Sequence, residues 1–248
     1  MRCVYDNCHE VDSTVHNAKY CKDCKCKRKQ ENSVKRLATP LRIYDETAWE
    51  LEEHRKQARA ERNKAKDAWI LKNKSFAIFD IEATQLDADF GAMLCACIKP
   101  VGGKTKTFAI EGVAGDETIV PDIIEELRKY DYIVTWYGTG YDMPFTTTRA
   151  IAAGVPTLGY ARHVDMYYTS RWKLKLHSNR LASVGDFLFG KTKKDSIVGQ
   201  IWLRALRGDA DALNYIIKHC QKDVVELERV FKELAPHRNL AQTPVRWF

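Results

Sequence analysis

The chain has 248 residues, a formal net charge of +7 and 45% hydrophobic side chains, enough to pack the core of a globular protein. No apolar run approaches the roughly 20 residues that a membrane-spanning helix requires, and the polar residues after Met1 do not resemble a signal peptide. These features exclude a membrane protein. We expect an intracellular, cytoplasmic protein, encoded by a cell or by a virus.

The first 30 residues are rich in cysteine and lysine and hold too few aliphatic side chains for a core. Two close pairs of cysteines, separated by twelve residues, match a tetrahedral Zn²⁺ site: Cys3, Cys8, Cys21 and Cys24. Alternative ligands nearby are Cys26, His9 and His16. The spacing predicts a zinc-binding knuckle with one structural Zn²⁺ over residues 1–30, and a reduced, flexible basic tail is the alternative.

Residues 19–36 carry eight basic side chains and two acidic ones, a density that attracts nucleic acid or, alternatively, forms a solvated surface. Strong helix formers without Gly or Pro follow over residues 45–74 and predict one long helix. This helix is either an exposed spacer or packs on the main domain along a narrow apolar stripe. We assign residues 31–74 to a basic, helical linker.

From residue 75 onward, short apolar runs alternate with amphipathic ones. The runs predict strands over 75–82, 92–98, 104–110, 131–137 and 160–168. They predict helices over 116–130, 143–154 and 209–235. The order predicts an α/β domain over residues 75–235, with a mixed five-stranded sheet and flanking helices, followed by a tail over 236–248.

The first strand ends with two acids, Asp80 and Glu82, whose side chains point to the same face because residues two apart on a strand do so. Two like charges beside an apolar run are costly unless a cation or water satisfies them. By itself the pair is a weak motif, because exposed strand ends often carry acids.

Two further acids follow on other elements. Asp142 comes after a Gly-rich turn and before Pro144, where it is either a site residue or a helix cap. Asp223 lies on a strongly periodic helix, and His219 precedes it by one turn on nearly the same face. An ordinary surface pair is the alternative for these two residues.

Together, the three motifs resemble those of DEDD-superfamily 3′-to-5′ exonucleases. They are most similar to the proofreading domain of family B DNA polymerases and its stand-alone relatives. The second motif is matched at Gly138, Tyr141, Asp142, Pro144 and Phe145, with Arg149 further on. The resemblance covers about residues 75–235 and implies an RNase H-like fold.

The resemblance implies two Mg²⁺ or Mn²⁺ ions, which suit hard carboxylate oxygens. It implies Asp80 as the shared ligand, with Glu82 and Asp223 on the first ion and Asp142 on the second, partly through water. His219 would orient or deprotonate the attacking water. The implied product is a 5′-mononucleotide released from a 3′ end.

The chain departs from this family at two positions. Tyr137 stands where the second motif usually has Asn, which puts the substrate contact of that Asn in doubt. His219 stands at the spacing of a tyrosine, whereas relatives with histidine place it one residue earlier, at Lys218 here. The departures make the identity of the general base less secure than the metal ligands.

Aromatic and basic residues around the motifs predict contacts to nucleic acid. The predicted set is Tyr137, Tyr141, Phe145, Arg171, Lys173 and Lys175. The last three alternate with aromatic residues, among them Tyr167, Tyr168 and Trp172, and a solvated loop is the alternative. For Asp165 we expect a structural role, and for Cys95, Cys97 and Cys220 buried thiols.

We expect the substrate to be single-stranded DNA or a frayed 3′ end, with RNA as the alternative because no residue is known to contact a 2′-hydroxyl. A nucleic-acid-binding adaptor without strong catalysis is a second alternative. The last residues resemble a sliding-clamp peptide through Gln242, Val245 and Trp247, or else form a C-terminal strand.

Overall fold

The computed structural model describes residues 46–190 and 199–248 and divides the chain into two units, Met1–Ala58 and Arg59–Phe248. The predicted zinc ligands lie outside the described residues: Cys3, Cys8, Cys21 and Cys24. Within the two described ranges, no helix combines the length and the apolar character needed to cross a bilayer.

The predicted long helix is confirmed as α1, Glu46–Asn73. Most of its described side chains are exposed. Near its C-terminal end, Ile70 joins the hydrophobic core of the second unit, and buried Asp67 accepts a hydrogen bond at Oδ1 from the Ala241 N–H (2.8 Å). Both alternatives for this helix therefore hold in part: it is exposed along most of its length, and its last turns pack.

Among the described residues, six strands form one mixed sheet: β1 (Phe76–Ala83), β2 (Met93–Pro100), β3 (Lys106–Ala109), β4 (Tyr132–Thr135), β5 (Tyr160–Asp165) and β6 (Val245–Trp247). Their order is β3-β2-β1-β4-β5-β6. The pairs β1–β4 and β4–β5 are parallel, and the other three are antiparallel. The predicted mixed α/β sheet is confirmed.

The prediction of five strands was wrong by one. β6 pairs with the start of β5, with Val245 opposite Arg162 and Trp247 opposite Tyr160. Three residues are too few to show the alternation by which a strand is recognised in a sequence. Of the residues that resemble a clamp-binding peptide, Val245 and Trp247 belong to this edge strand, whereas Gln242 ends a short 3₁₀ helix, Leu240–Gln242.

In the part of the chain that the structure describes, six α-helices follow α1: α2 (Val120–Leu127), α3 (Asp142–Ala152), α4 (Met166–Lys173), α5 (Leu181–Phe189), α6 (Gly199–Leu206) and α7 (Ala210–Leu234). The fifth strand was predicted to extend to residue 168, but the chain turns into α4 directly after Asp165. Asp165 starts this helix because its side chain accepts a hydrogen bond from the Tyr167 N–H, as N-cap residues do.

The longest of these helices, α7, packs against β1 and β2. Its buried side chains recur every three or four residues, including Ile216, Cys220 and Val224, which gives one apolar face. Further along, Glu228 forms a buried ion pair with Lys99 of β2 (2.9 Å). The periodicity that predicted this helix thus also placed Asp223 beside the first strand.

Candidate active site

The two acids of β1 lie where the first strand leaves the core. Asp80 is opposite Cys97 of β2, and Glu82 is opposite Cys95. Directly opposed residues of an antiparallel pair share a face. The same face is covered by α7, whose Cys220 thiol lies 3.5 Å from the Asp80 carbonyl oxygen. As predicted, Cys95, Cys97 and Cys220 are buried thiols.

Asp142 reaches the site from the first turn of α3, at the far end of the Gly-rich turn after β4. It is almost completely buried. Its Oδ1 accepts a hydrogen bond from the Ile81 N–H (3.1 Å), between the two acids of β1. A side-chain bond to a residue 61 positions earlier is a tertiary contact, so Asp142 does more than cap its own helix.

The third element contributes Asp223 and His219 from α7. Asp223 lines the same groove as Asp80. The Nε2 atom of His219 lies 3.7 Å from Oδ2 of Asp223, and both side chains are largely buried. The imidazole therefore lies beside the Asp223 carboxylate, as the spacing of one helical turn predicts.

The electrostatics of the site reflect uncompensated negative charge. Burial raises the pKa of Asp80 well above its usual range. Neighbouring carboxylates raise it further, in the order Asp142, Glu82 and Asp223. Burial also raises the pKa of Asp142 to about 7, opposed by hydrogen bonds from its own N–H and that of Ile81. The charges of the other three acids thus act on Asp80.

A divalent cation fits this set of donors, because it would supply the missing positive charge and because carboxylate oxygens suit Mg²⁺ and Mn²⁺. Within the described residues, no group of three or more His, Cys, Asp and Glu side chains is arranged closely enough to hold a metal ion without other ligands. Mg²⁺ keeps several waters and also binds substrate phosphate, so it does not require such a cage.

An open groove of about 340 Å³ lies at the carboxylates. It is lined by Asp80, Trp136, Tyr137, Tyr167, Asn179, Arg180, Leu181 and Asp223. One wall is acidic, and the other is aromatic with one cation. This composition suits a phosphodiester placed at the acids with its base against the rings.

The turn after β4 holds Tyr137 with φ = 63°, the left-handed region that bulky residues rarely adopt. The buried carboxylate of Asp165 accepts hydrogen bonds from the N–H groups of Tyr137 (2.9 Å), Thr139 (2.9 Å) and Tyr167 (3.1 Å). Asp165 thus ties this turn to α4. The structural role expected for Asp165 is specific: it fixes one wall of the groove.

The predicted nucleic-acid contacts lie in different surroundings. Tyr137 lines the groove, whereas Phe145 is buried beneath Tyr141, with ring centroids 5.5 Å apart. Burial raises the pKa of Tyr141, and the charges of Asp142, Glu82 and Asp80 raise it further. The basic residues Arg171, Lys173 and Lys175 are all exposed.

The second-motif residue Arg149 has a structural partner. Its guanidinium forms a two-pronged ion pair with buried Asp116 (2.7 and 2.8 Å). Asp116 also accepts a hydrogen bond from the Met93 N–H at the start of β2. Arg149 therefore anchors α3, which carries Asp142, to the sheet.

Sequence reasoning missed several residues of the groove. Trp136 and Asn179 line it, and Asn179 Oδ1 accepts a hydrogen bond from the buried Ser170 hydroxyl (3.0 Å). Trp136 directly precedes Tyr137 of the second motif, and this position in the sequence could have indicated that Trp136 lies in the groove. Asn179 lies in a polar loop that carries no motif.

Comparisons with known proteins show which family this fold belongs to. A model of the RNase H superfamily matches residues 77–235. A DNA polymerase of Methanocaldococcus jannaschii is 32% identical over 119 residues, which cover 37% of this chain and 7% of that polymerase. The structure of the family B DNA polymerase from the hyperthermophilic archaeon Pyrobaculum calidifontis aligns with a TM-score of 0.53 at 20% identity, over 65% of this chain and 24% of that one. The chain thus spans a small part of either polymerase, and the structural likeness supports the fold alone.

Proposed function

The chain belongs to the RNase H superfamily, and from this premise we propose that it is a metal-dependent 3′-to-5′ exonuclease of the DEDD type. The observation that supports this most is the approach of three carboxylates to Asp80 from β1, α3 and α7, beside an open groove that Asp80 and Asp223 line. Four neighbouring carboxylates repel one another and destabilise the fold, so their presence together is best explained by a function such as cation binding. The similarity to DNA polymerases favours DNA as the substrate.

In this proposal, Asp80, Glu82, Asp142 and Asp223 hold two Mg²⁺ or Mn²⁺ ions. When bound, such ions neutralise the scissile phosphate and lower the pKa of water. The hydrogen bond from the Ile81 N–H fixes the orientation of Asp142, so that this ligand is positioned before substrate arrives. The aromatic wall of the groove excludes water from the base and orients the terminal nucleotide.

The attacking water would lose its proton to His219. The imidazole lies beside Asp223, whose negative charge stabilises the protonated ring once it forms. A histidine titrates near neutral pH and can therefore accept and release a proton in each cycle. As the water oxygen bonds to phosphorus, the P–O3′ bond would break, and the 3′ oxygen left on the shortened strand would take a proton from solvent. The released product is one 5′-mononucleotide, which carries the phosphate.

Purified protein with Mg²⁺ or Mn²⁺ should shorten a 5′-labelled, single-stranded DNA to a ladder. Replacing Asp80 with Asn should lower kcat by about 10³-fold or more, because the loss of an ion's stabilisation amounts to several kcal/mol. Asp211→Asn is the matched control, since Asp211 is exposed on the first turn of α7. Undiminished activity of Asp80→Asn would refute the proposal.

The same assay separates the alternatives. A ladder from single-stranded RNA but not from DNA would make the protein an exoribonuclease with the same four acids. Binding of both polymers without hydrolysis in either metal would favour the adaptor. A 3′-phosphate on the labelled DNA tests the polarity, because it should block an enzyme that begins at a 3′-hydroxyl.

A further inference from the structure

Five aromatic rings form a continuous row that begins in the groove and continues along α4. We call this row the aromatic track: Trp136, Tyr137, Tyr167, Tyr168 and Trp172. Neighbouring centroids lie 6.3 Å apart for Trp136–Tyr167, 5.2 Å for Tyr167–Tyr168 and 5.8 Å for Tyr168–Trp172. Tyr137 contacts both tyrosines of α4, at 5.0 and 6.3 Å.

The outer end of the aromatic track is open to solvent. Trp172, at this outer end, is 73% exposed, whereas aromatic side chains that serve a core are buried. Tyr137, at the inner end, is still 46% exposed. On α4, Tyr168 and Trp172 are four residues apart and therefore share one face of the helix. Contiguous exposed rings of this kind mark a binding surface rather than a scattered hydrophobic residue.

The inner end of the aromatic track is held at an energetic cost. Tyr137 occupies the left-handed region, and its ring lies against the backbone of Gly140, where a Cβ would come within 2.8 Å of the ring. The buried Asp165 carboxylate fixes this turn through the Tyr137 and Thr139 N–H groups. Strain that the surroundings maintain in this way is typical of functional positions.

The charge around the aromatic track is positive. Arg171, Lys173 and Lys175 are exposed, and Arg180 lines the groove beside Tyr137 and Tyr167. The Arg171 Nη1 atom lies 3.5 Å from the Tyr167 hydroxyl, so a cation accompanies the rings along the helix. Rings for bases and cations for phosphates are the two components of sites that bind single-stranded nucleic acid.

We propose that the outer rings of the aromatic track, Tyr168 and Trp172, bind the unpaired bases that precede the terminal nucleotide, whose own base lies against the inner rings in the groove. The inference rests on the proposed function for the direction of the strand, because the acids mark where its 3′ end lies. It adds the location of the upstream bases and a source of specificity. The rings can stack only on bases that are not already stacked in a duplex, so the aromatic track selects single strands.

The test is the affinity for a fluorescently labelled 12-nucleotide single strand, measured by anisotropy without added Mg²⁺ or Mn²⁺ and without a chelator, so that a Zn²⁺ in the predicted knuckle stays bound. Trp172→Ala should weaken binding by about 5- to 30-fold, the effect of losing one stacked base. Trp172→Phe should restore most of the affinity. Trp247→Ala is the matched control, because Trp247 is 66% exposed but lies on β6, which pairs with the opposite end of β5.

A blunt duplex of the same sequence should bind all four proteins alike. With Mg²⁺ present, Trp172→Ala should raise KM for the single strand by a similar factor, so the loss appears in KM rather than in kcat. Equal affinities of Trp172→Ala and wild type, or an equal loss for Trp247→Ala, would overturn the inference. Binding is measured without hydrolysis, so the two proposals can fail separately. A wild type that hydrolyses nothing but still shows these differences in affinity would refute the exonuclease and support binding of single strands by the aromatic track.

Discussion

Replacing Asp165 with Ala tests how the groove is built. The Asp165 carboxylate is buried and accepts three backbone hydrogen bonds, from Tyr137, Thr139 and Tyr167. Each donor left without a partner costs about 1–3 kcal/mol, and part of that cost is recovered where water can reach the turn. We therefore expect the free energy of unfolding to fall by about 3–5 kcal/mol, which includes the lost helix cap.

The assay is urea unfolding, followed by tryptophan fluorescence and far-UV circular dichroism. Asp165→Asn is the matched variant. Its one amide oxygen can still accept from the Tyr137 and Tyr167 N–H groups, which share Oδ1, whereas its NH₂ group cannot accept from the Thr139 N–H, which bonds Oδ2. It should lose about 1–3 kcal/mol, the cost of that one donor. Equal stability of Asp165→Ala and wild type would show that the three hydrogen bonds do not hold the turn, and an Asn variant as unstable as the Ala variant would show that the two bonds to Oδ1 contribute little.

Three further predictions concern other buried groups. Burial lowers the pKa of His163 to about 4, so between pH 6.5 and 4 this side chain binds a proton in the unfolded state but not in the folded state. The free energy of unfolding should therefore fall by about 3 kcal/mol as the pH is lowered over this range. Urea unfolding at several pH values should show this decrease for wild type and not for His163→Gln. Lys99→Met should destabilise the fold by about 1–3 kcal/mol, because buried Glu228 loses Lys99 but keeps Lys232 (2.7 Å) and the Gly102 N–H; adding Glu228→Leu should recover much of the loss in thermal melts. Elemental analysis should find about one Zn²⁺ per chain in the wild type and less in Cys21→Ser, which tests the proposed knuckle.

The elements and acids that the sequence predicted well are those with a local signal. Asp80 and Glu82 are two apart on a strand, which fixes their common face whatever the rest of the chain does. The face of α7 that holds Asp223 follows from its apolar periodicity in the same way. Local geometry and side-chain type were sufficient to place the carboxylates on their elements.

Contacts between distant segments had no comparable signal. The Asp116–Arg149 pair joins residues 33 positions apart, and nothing in either segment names the partner. The edge strand β6 is too short to show alternation, and its pairing depends on the exposed side of β5. Such features are decided by which surfaces remain to be covered after the main elements have formed, and a single sequence does not specify that.

The departure from the family pattern at Tyr137 follows from the backbone of this turn. The left-handed conformation observed there is one that Asn adopts readily and Tyr adopts at a cost of about 1–2 kcal/mol. Contacts to the rings of Tyr167 and Tyr168, and the hydrogen bond from its N–H to Asp165, offset that cost. The turn itself does not require a ring at this position, because Asn would adopt the same conformation without this cost. The proposed binding of a single strand accounts for an aromatic side chain at position 137, because the exposed side of this ring would lie against a base.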